Sequence, residues 1–242
     1  YSGINAVVGI IDAGFDYNHP TLRDTTGTKW RVKKVWEQKT VGTAPAGFSF
    51  GHEMIDSSSI KTKATDLPKF SHGTHVAGIA AGSGWGSADN SQFRGIAFGS
   101  DLVLVGITPD TSQWTGTGMS DIIDGMNYIY QYAASVGKPA VANLSWGGPL
   151  GPHDGTSLFS QACDALTGKG KIFVCSGGNN GSNNIHLAKT FSATDTIINS
   201  ELTPSTSINK VWMDIWGDST KKFCAQISLY NGSIRSDSTS YI

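Results

Sequence analysis

The sequence predicts an α/β protein: a doubly wound parallel sheet with flanking helices, followed by the beginning of an all-β region. Three observations lead to this fold class. Residues 6–11 form a continuous apolar run, which is typical of a parallel strand buried on both faces. Apolar runs then alternate with segments of helical periodicity up to about residue 176, an order that produces parallel strands joined by right-handed crossovers. From about residue 185 onward no helical pattern appears.

Periodicity and turn residues predict the later elements of the first region. Apolar runs predict strands at residues 101–107, 140–145 and 171–176. Helical spacing of apolar residues predicts helices at residues 120–136 and 157–167. Ser157 precedes the second of these helices and is expected to be its N-cap.

Alternation at period two predicts hairpins in two places. Residues 30–32 and 35–36 carry tryptophans in an otherwise polar stretch and are expected to pair. Residues 210–216 and 223–230 alternate in the same way, and Asn231-Gly232 is a turn pair of the hairpin type. We therefore expect strands throughout the end of the chain.

The chain of 242 residues can hold one large or two modest domains. The change of pattern places the expected boundary between residues 1–184 and residues 185–242. A net charge of −1 gives no electrostatic case for nucleic acid or an anionic membrane, and no apolar run reaches the roughly 20 residues that span a bilayer. Three scattered cysteines predict neither a disulfide framework nor a zinc site, and Cys163 and Cys175 are expected in the core.

Residues 71–82 predict a helix without charge from Gly73 onward and with almost no side chain wider than valine. Such a helix lacks a polar face, so we expect it to be buried. His72 stands in its first turn, where the helix dipole disfavours added positive charge and so favours the neutral imidazole of a general base. His75, one turn along, is expected to be a core histidine.

Three motifs together resemble those of the subtilisin-like serine proteases. Ser-His-Gly-Thr-His-Val-Ala-Gly at residues 71–78 is similar to the histidine motif of that family. Residues 7–16 are similar to its aspartate motif, and residues 172–181 to its oxyanion-hole strand, in the family's chain order. The resemblance covers about residues 1–184. A turn of Phe-Gly-His-Glu type before the histidine motif is similar to the clostridial and Bacteroidetes Csp-like branch, which carries an inserted β jelly roll. The all-β end of the chain would then be the start of such an insertion, and a strand-only tail from another, lectin-like domain would show the same pattern.

The resemblance implies a serine endopeptidase acting on peptides or proteins. Asp12 and His72 would be two members of the catalytic triad, and Asn179 would donate to the oxyanion. Taken alone, an aspartate at a strand end such as Asp12 is more often a turn former than a catalytic residue, and Asn179 in its Gly-Gly-Asn-Asn-Gly setting is also typical of a turn. Two segments would pair with an extended substrate and a third would line the specificity pocket: Gly116, Thr117 and Gly118; Ser145, Trp146 and Gly147; and Ser176, Gly177 and Gly178.

The sequence departs from the family at its nucleophile. No Gly-Thr-Ser-x-Ala-x-Pro motif is present, and the similar start at residues 155–157 precedes Asn179 instead of following it. We therefore expect the serine beyond residue 242, this chain to be inactive without the remaining carboxyl-terminal part, and that part to be a partner. The alternative is a catalytically dead pseudoprotease or a β-sandwich-bearing binding protein. A third possibility is an unrelated nucleotide-binding protein. Such a protein would need a Gly-rich phosphate loop after the first strand, and this sequence has none there.

Cofactor and location follow from the resemblance as well. Thr21 occupies the place of an acidic residue that the family often uses for calcium, so that site is in doubt, and Asp89-Asn90 is an alternative structural calcium site. No other metal or cofactor is expected. The family implies a secreted or cell-surface protein, although Tyr1-Ser2-Gly3 leads almost directly into the first strand and no signal peptide is visible.

Overall fold

The computed structural model describes residues 1–107, 117–203 and 211–241. The chain divides into two units. The first unit comprises Tyr1–Pro149 and His153–Ile185, and the second comprises Leu150–Pro152 and His186–Ile242.

The first unit is built on one six-stranded sheet. Its strands are β1 (Val7–Asp12), β2 (Val32–Glu37), β3 (His52–Met54), β4 (Asp101–Gly106), β5 (Ala140–Leu144) and β6 (Lys171–Cys175). They lie in the order β3-β2-β4-β1-β5-β6, and all neighbours run parallel except β3, which is antiparallel to β2. The predicted doubly wound, mainly parallel sheet is confirmed.

Four α-helices flank this sheet in the described part of the first unit. They are α1 (Ser57–Lys63), α2 (His72–Ala81), α3 (Met119–Ser135) and α4 (Leu158–Leu166), and a 3-10 turn covers Pro20–Leu22. Ser157 is the N-cap of α4, as predicted: its hydroxyl accepts the N–H of Ser160 at 3.1 Å. Helices α2, α3 and α4 thus begin and end within a few residues of their predicted positions, whereas α1 was not predicted.

The sheet has a hydrophobic core on each face. One core packs α3 against β1, β4 and β5, and the other packs α2 and the 3-10 turn against β1, β2 and β4. All six residues of β1 are buried, as expected for a central parallel strand. Gly9 lets α3 come close to this strand, because a Cβ at that position would lie 2.4 Å from the Cδ1 of Ile129.

Arg31 is a buried cation that connects several of these elements. Its guanidinium donates to the carbonyl oxygens of four residues: Arg23 at 2.9 Å, Ser100 at 3.2 Å, Thr21 at 2.9 Å and Ala81 at 2.6 Å. Burial lowers the pKa of Arg31 to about 10, so the group remains charged at neutral pH. The side chain therefore joins the end of α2 to the starts of β2 and β4.

The predicted hairpin of residues 30–32 and 35–36 is wrong. Both segments lie at or beside one strand, β2, whose antiparallel partner is β3. Trp36 packs against Phe48 and Tyr128, with ring centroids 4.6 and 5.2 Å away. The position of Trp36 thus reflects the packing of β2 against α3, whereas Trp30 packs against the core on the other face of the sheet. Sequence alternation alone does not distinguish this arrangement from a hairpin.

Two expectations of burial are also wrong. Helix α2 buries Gly73, Thr74, Ala77 and Ala81, but His75 is exposed and Ile79 is 62% exposed. Because α2 lies on the sheet along one side only, an apolar sequence does not make it a fully enclosed helix. Cys175 is exposed because β6 lies at the edge of the sheet, whereas Cys163 on α4 is half-buried and packs against the core beside α3.

In the second unit, the described residues form one hairpin of β7 (Ser228–Asn231) and β8 (Ile234–Ser238). The predicted Asn231-Gly232 turn is confirmed, because Asn231 pairs with Ile234 and Gly232 has φ +60°. Within the described residues 211–217 no strand forms, so the alternation there did not predict the backbone. An isolated antiparallel hairpin is consistent with the start of a β insertion.

Candidate active site

His72 and Asp12 meet at the carboxyl end of β1. The Nδ1 of His72 lies 2.7 Å from the Oδ1 of Asp12. The Asp12 side chain is fully buried, whereas the His72 side chain is 39% exposed. One end of the imidazole is therefore fixed by a buried carboxylate, and the ring still reaches the surface.

The fold brings these residues together through backbone hydrogen bonds. Asp12 is the last residue of β1, and His72 is the first residue of α2. The N–H of Gly73 donates to the carbonyl of Ala13 at 2.7 Å, and the N–H of Thr74 donates to that of Gly14 at 3.1 Å. Two of the free N–H groups of the helix N-terminus are thus satisfied by the turn that follows Asp12.

Burial of Asp12 disfavours the ionised form of its carboxyl group, whereas the hydrogen bonds to it favour that form. Burial raises the pKa of this carboxyl above the ordinary 3.8, while the hydrogen bonds from His72 and from the N–H of Ala13 act to lower it. Within the described part of the chain, Asp12 Oδ2 is buried and accepts no hydrogen bond. Such a carboxylate gains most from a positively charged neighbour, which is what a protonated His72 would be.

Aromatic packing covers one side of the imidazole. The ring of Phe70 lies nearly parallel to that of His72, at 13° and with centroids 6.1 Å apart. Thr74 ties the same helix to the turn, because its hydroxyl donates to the carbonyl of Gly14 and accepts the N–H of Asp16 at 2.6 Å. His72 is therefore held by its helix, its carboxylate partner and an aromatic neighbour.

Asn179 follows β6, which is separated from β1 by β5 alone. It lies at the same carboxyl edge of the sheet as Asp12, since these three strands are parallel. Asn179 is exposed, as are Ser176, Gly177 and Gly178 before it. The N–H of Ser176 donates to the carbonyl of Leu144 at 3.0 Å, so this segment continues directly from the pairing of β5 with β6.

The two predicted substrate-binding segments differ in what the structure shows. Gly116 lies outside the described residues. Thr117 donates its hydroxyl to the carbonyl of Ile107 at 2.7 Å, and Gly118 is the N-cap of α3, its N–H bound to Asp121 at 2.7 Å. The N–H of Gly118 is therefore already engaged in helix capping.

The second segment follows β5 directly. Ser145 accepts the side-chain N–H of Asn143 at 3.1 Å, Trp146 packs partly against the core beside α3, and Gly147 is exposed. This segment thus leaves the sheet edge next to the strand that carries Asp12.

Among the described residues, no group of three or more His, Cys, Asp or Glu side chains is arranged to hold a metal ion. Asp89, part of the alternative calcium site, accepts the N–H groups of Ser91 and Gln92 and so caps a turn. The calcium site stays a prediction. No helix in the described part of the chain is long and apolar enough to cross a membrane.

Sequence reasoning missed Asp66. Its carboxylate accepts two backbone N–H groups in the turn after Asp12, at a separation of 51 and 52 positions along the chain. The segment Thr-Asp-Leu-Pro around it is typical of an ordinary loop, so no local pattern could have indicated this contact.

Comparison with known proteins agrees with this geometry. Residues 3–218 match the model of the subtilase family. The chain is 31% identical over 183 residues to the minor extracellular protease Vpr of Bacillus subtilis, with coverage of 76% of this chain and 19% of Vpr. It is 30% identical over 183 residues to subtilisin DY of Bacillus licheniformis, with coverage of 75% and 50%.

The fold comparison gives the same result. The structure of the Clostridium perfringens CspB protease superposes with a TM-score of 0.61 at 27% identity, covering 76% of this chain and 38% of that one. The chain thus spans half or less of the length of each of these relatives. With most of its length matched by the family model and a buried aspartate bonded to the histidine of α2, this chain belongs to the subtilase family.

Proposed function

We propose that this protein is a serine endopeptidase whose triad consists of Asp12, His72 and a serine supplied from outside residues 1–242. The observation that carries the proposal is the 2.7 Å contact between His72 Nδ1 and the buried Asp12 Oδ1. Membership of the subtilase family and relatives named as proteases support it. The absence of a Gly-Thr-Ser-x-Ala motif from this chain is the reason for seeking the serine elsewhere.

In the proposed mechanism each member of the pair has its own role. Asp12 accepts the Nδ1–H of His72, which fixes the tautomer that carries its lone pair on Nε2. Nε2 then takes the proton of the serine hydroxyl as that oxygen attacks the peptide carbonyl, and later returns the proton to the leaving amine. The buried carboxylate stabilises the imidazolium formed between these steps, because its charge is poorly screened inside the protein.

Asn179 would stabilise the oxyanion of the tetrahedral intermediate through its side-chain amide. Its exposed position after β6 leaves the amide free to face a bound substrate. The residues Ser145, Trp146 and Gly147 would pair with an extended peptide on one side, and Gly116 and Thr117 on the other. Ser176, Gly177 and Gly178 would form a wall of the primary specificity pocket.

The proposed substrates are peptides or proteins met outside the cytoplasm. The name of the minor extracellular protease of Bacillus subtilis supports a secreted or cell-surface location. The proposal also gives this chain a partner in the remaining part of the same protein, which would contribute the nucleophile and cover the exposed edge at β6, where Ile172 and Val174 are about half exposed.

A fluorophosphonate probe tests the proposal, since it labels only an activated serine. We expect the complete, folded protein to be labelled at one serine outside residues 1–242, located by mass spectrometry of the digested protein. The His72→Ala protein should not be labelled. Label on Ser157 or on any other serine of this chain would overturn the proposal, and so would a folded protein that takes up no label.

A further inference from the structure

Asp66 reaches the turn that separates the proposed catalytic residues. Its Oδ2 accepts the N–H of Gly14 at 3.1 Å, and its Oδ1 accepts the N–H of Phe15 at 2.6 Å. These two N–H groups are consecutive and lie immediately after Ala13, whose own N–H binds Asp12 Oδ1 at 2.7 Å. Three successive N–H groups of one turn are therefore held by two carboxylates.

The carbonyl side of the same turn holds the helix of His72. Ala13 and Gly14 accept the N–H groups of Gly73 and Thr74. Phe15 is also packed against this helix, because a Cβ on Gly73 would lie 2.8 Å from its ring. The turn thus lies between Asp66 on one side and the N-terminus of α2 on the other.

The surrounding backbone leaves room for this carboxylate. Gly106 ends β4 opposite Asp12, and a Cβ there would lie 3.2 Å from Asp66 Oδ2. Asp66 therefore lies against the ends of both β1 and β4. A methyl group at residue 106 would press the carboxylate to move by a few tenths of an ångström without removing it.

We propose that Asp66 is a positioning residue that fixes the turn of residues 13–15 and thereby holds Asp12 and His72 in hydrogen-bonding register. This inference rests on the proposed function. Without the Asp66 carboxylate, the N–H groups of Gly14 and Phe15 lose their acceptors, and the turn that supports both partners is free to shift. A shift of about 1 Å at such a pair can cost on the order of 10²-fold in rate.

The test is the Asp66→Asn substitution in the complete protein, since an amide can offer an acceptor to only one of the two N–H groups. The first measurement is the far-downfield proton resonance of the imidazole Nδ1–H, assigned by its loss in His72→Ala. We expect this resonance to shift or broaden in Asp66→Asn. We also expect kcat to fall roughly tenfold to 10²-fold while KM stays within about twofold, because substrate binding does not involve Asp66.

Asp56→Asn is the matched control. Asp56 also accepts two consecutive N–H groups, those of Ser58 and Ser59 at 3.0 and 2.8 Å, but at the start of α1 and away from His72. The Asp56→Asn substitution should leave the Nδ1–H resonance and kcat unchanged. Gly106→Ala is the second variant, and it keeps the Asp66 carboxylate. If Asp66→Asn does not fold, the same Nδ1–H resonance is measured in Gly106→Ala instead.

An unchanged resonance in folded Asp66→Asn, or in Gly106→Ala, would overturn the positioning role, and so would an equal effect of Asp56→Asn. Because the resonance is read without substrate, it reports on Asp66 independently of peptide cleavage. A protein without peptidase activity in which Asp66→Asn still moves the resonance would contradict the proposed function and retain the positioning role.

Discussion

The side chains of Asp12 and His72 are joined at 2.7 Å although 60 positions separate them in the chain, and one is fully buried while the other is partly exposed. This asymmetry suits a pair in which the buried partner only orients the other and stabilises its positive charge. The exposed imidazole can meet a substrate, and the buried carboxylate cannot. Each residue of the pair, and each residue that supports it, can be tested separately.

His72→Ala should abolish peptide hydrolysis by the complete protein while the fold persists. The expected loss is near 10⁶-fold in kcat, a magnitude taken from the histidine of subtilisin itself. The control is His75→Ala, which lies on the same helix but is exposed, so it should change kcat by less than about twofold. Steady-state kinetics with circular dichroism checks both. Near-normal turnover by folded His72→Ala would contradict the assignment.

Asn179→Ala should lower kcat and leave KM nearly constant. The amide would meet charge that exists only in the transition state, so the ground-state complex loses little. The corresponding change in subtilisin costs about 10²–10³-fold in kcat, and we take that range as the expectation. Asn180→Ala is the neighbouring control and should have little effect. A raised KM with unchanged kcat for Asn179→Ala would exclude the oxyanion role.

The stability of the first unit should depend on Asp66 between about pH 4 and pH 6. Burial raises the pKa of Asp66 from 3.8 to about 6, against the hydrogen bonds of Phe15 and Gly14 that lower it, and Glu37 adds to the rise. Within that window the folded protein binds a proton that the unfolded chain has released. The stability due to this group is therefore complete below about pH 4 and is lost as the pH rises through about 6.

Urea unfolding of the wild type and of Asp66→Asn across this window checks the sign. The difference in unfolding free energy, wild type minus variant, should fall as the pH rises. Asp56→Asn should give a nearly flat difference over most of this window, because hydrogen bonds from Ser59 and Ser58 lower the pKa of Asp56 and its contribution therefore changes mainly below about pH 4. A difference for Asp66→Asn that is flat or rises with pH would contradict the expected linkage.

Arg31→Met should destabilise the first unit by about 3 kcal/mol or more, because four carbonyl groups, three of them in buried hydrogen bonds, lose a charged donor. Arg31→Lys should also be costly, since an ammonium group cannot reproduce the planar arrangement of guanidinium donors. The control is Arg94→Lys, where the exposed Arg94 donates to the carbonyl of Ser83. Denaturant unfolding midpoints measure all three. Equal midpoints for Arg31→Lys and the wild type would show that the planar arrangement of guanidinium donors is dispensable.

The sequence predicted four of the six strands of this sheet, β1, β4, β5 and β6, because each of them is encoded locally as an apolar run. The run that becomes β1 is apolar at every position, and the Asp12 that ends it lies at the carboxyl edge where parallel sheets form sites. The motif around His72 predicted its helix and, through family resemblance, its partner. These features need no knowledge of distant contacts.

The remaining features depend on tertiary structure. His75 was expected in the core because its neighbours are small and apolar, yet it lies on the side of α2 that faces away from the sheet. The tryptophans before and within β2 suggested a hairpin between two segments. In the structure β2 is one strand that pairs with β3, and its Trp36 packs against Tyr128 of α3. Asp66 acts on residues 51 and 52 positions earlier, so no window of sequence around it contains that information.

The four acceptors of Arg31 have a consequence for the folding pathway. The donor lies 8 and 10 positions from the acceptors on one side of it, and 50 and 69 positions from the others. A partly assembled intermediate that encloses this cation before both α2 and the start of β4 have arrived would bury a charge without its full set of acceptors, at high cost. Arg31 thus penalises incomplete structures, and it makes assembly of the first unit more nearly all-or-none.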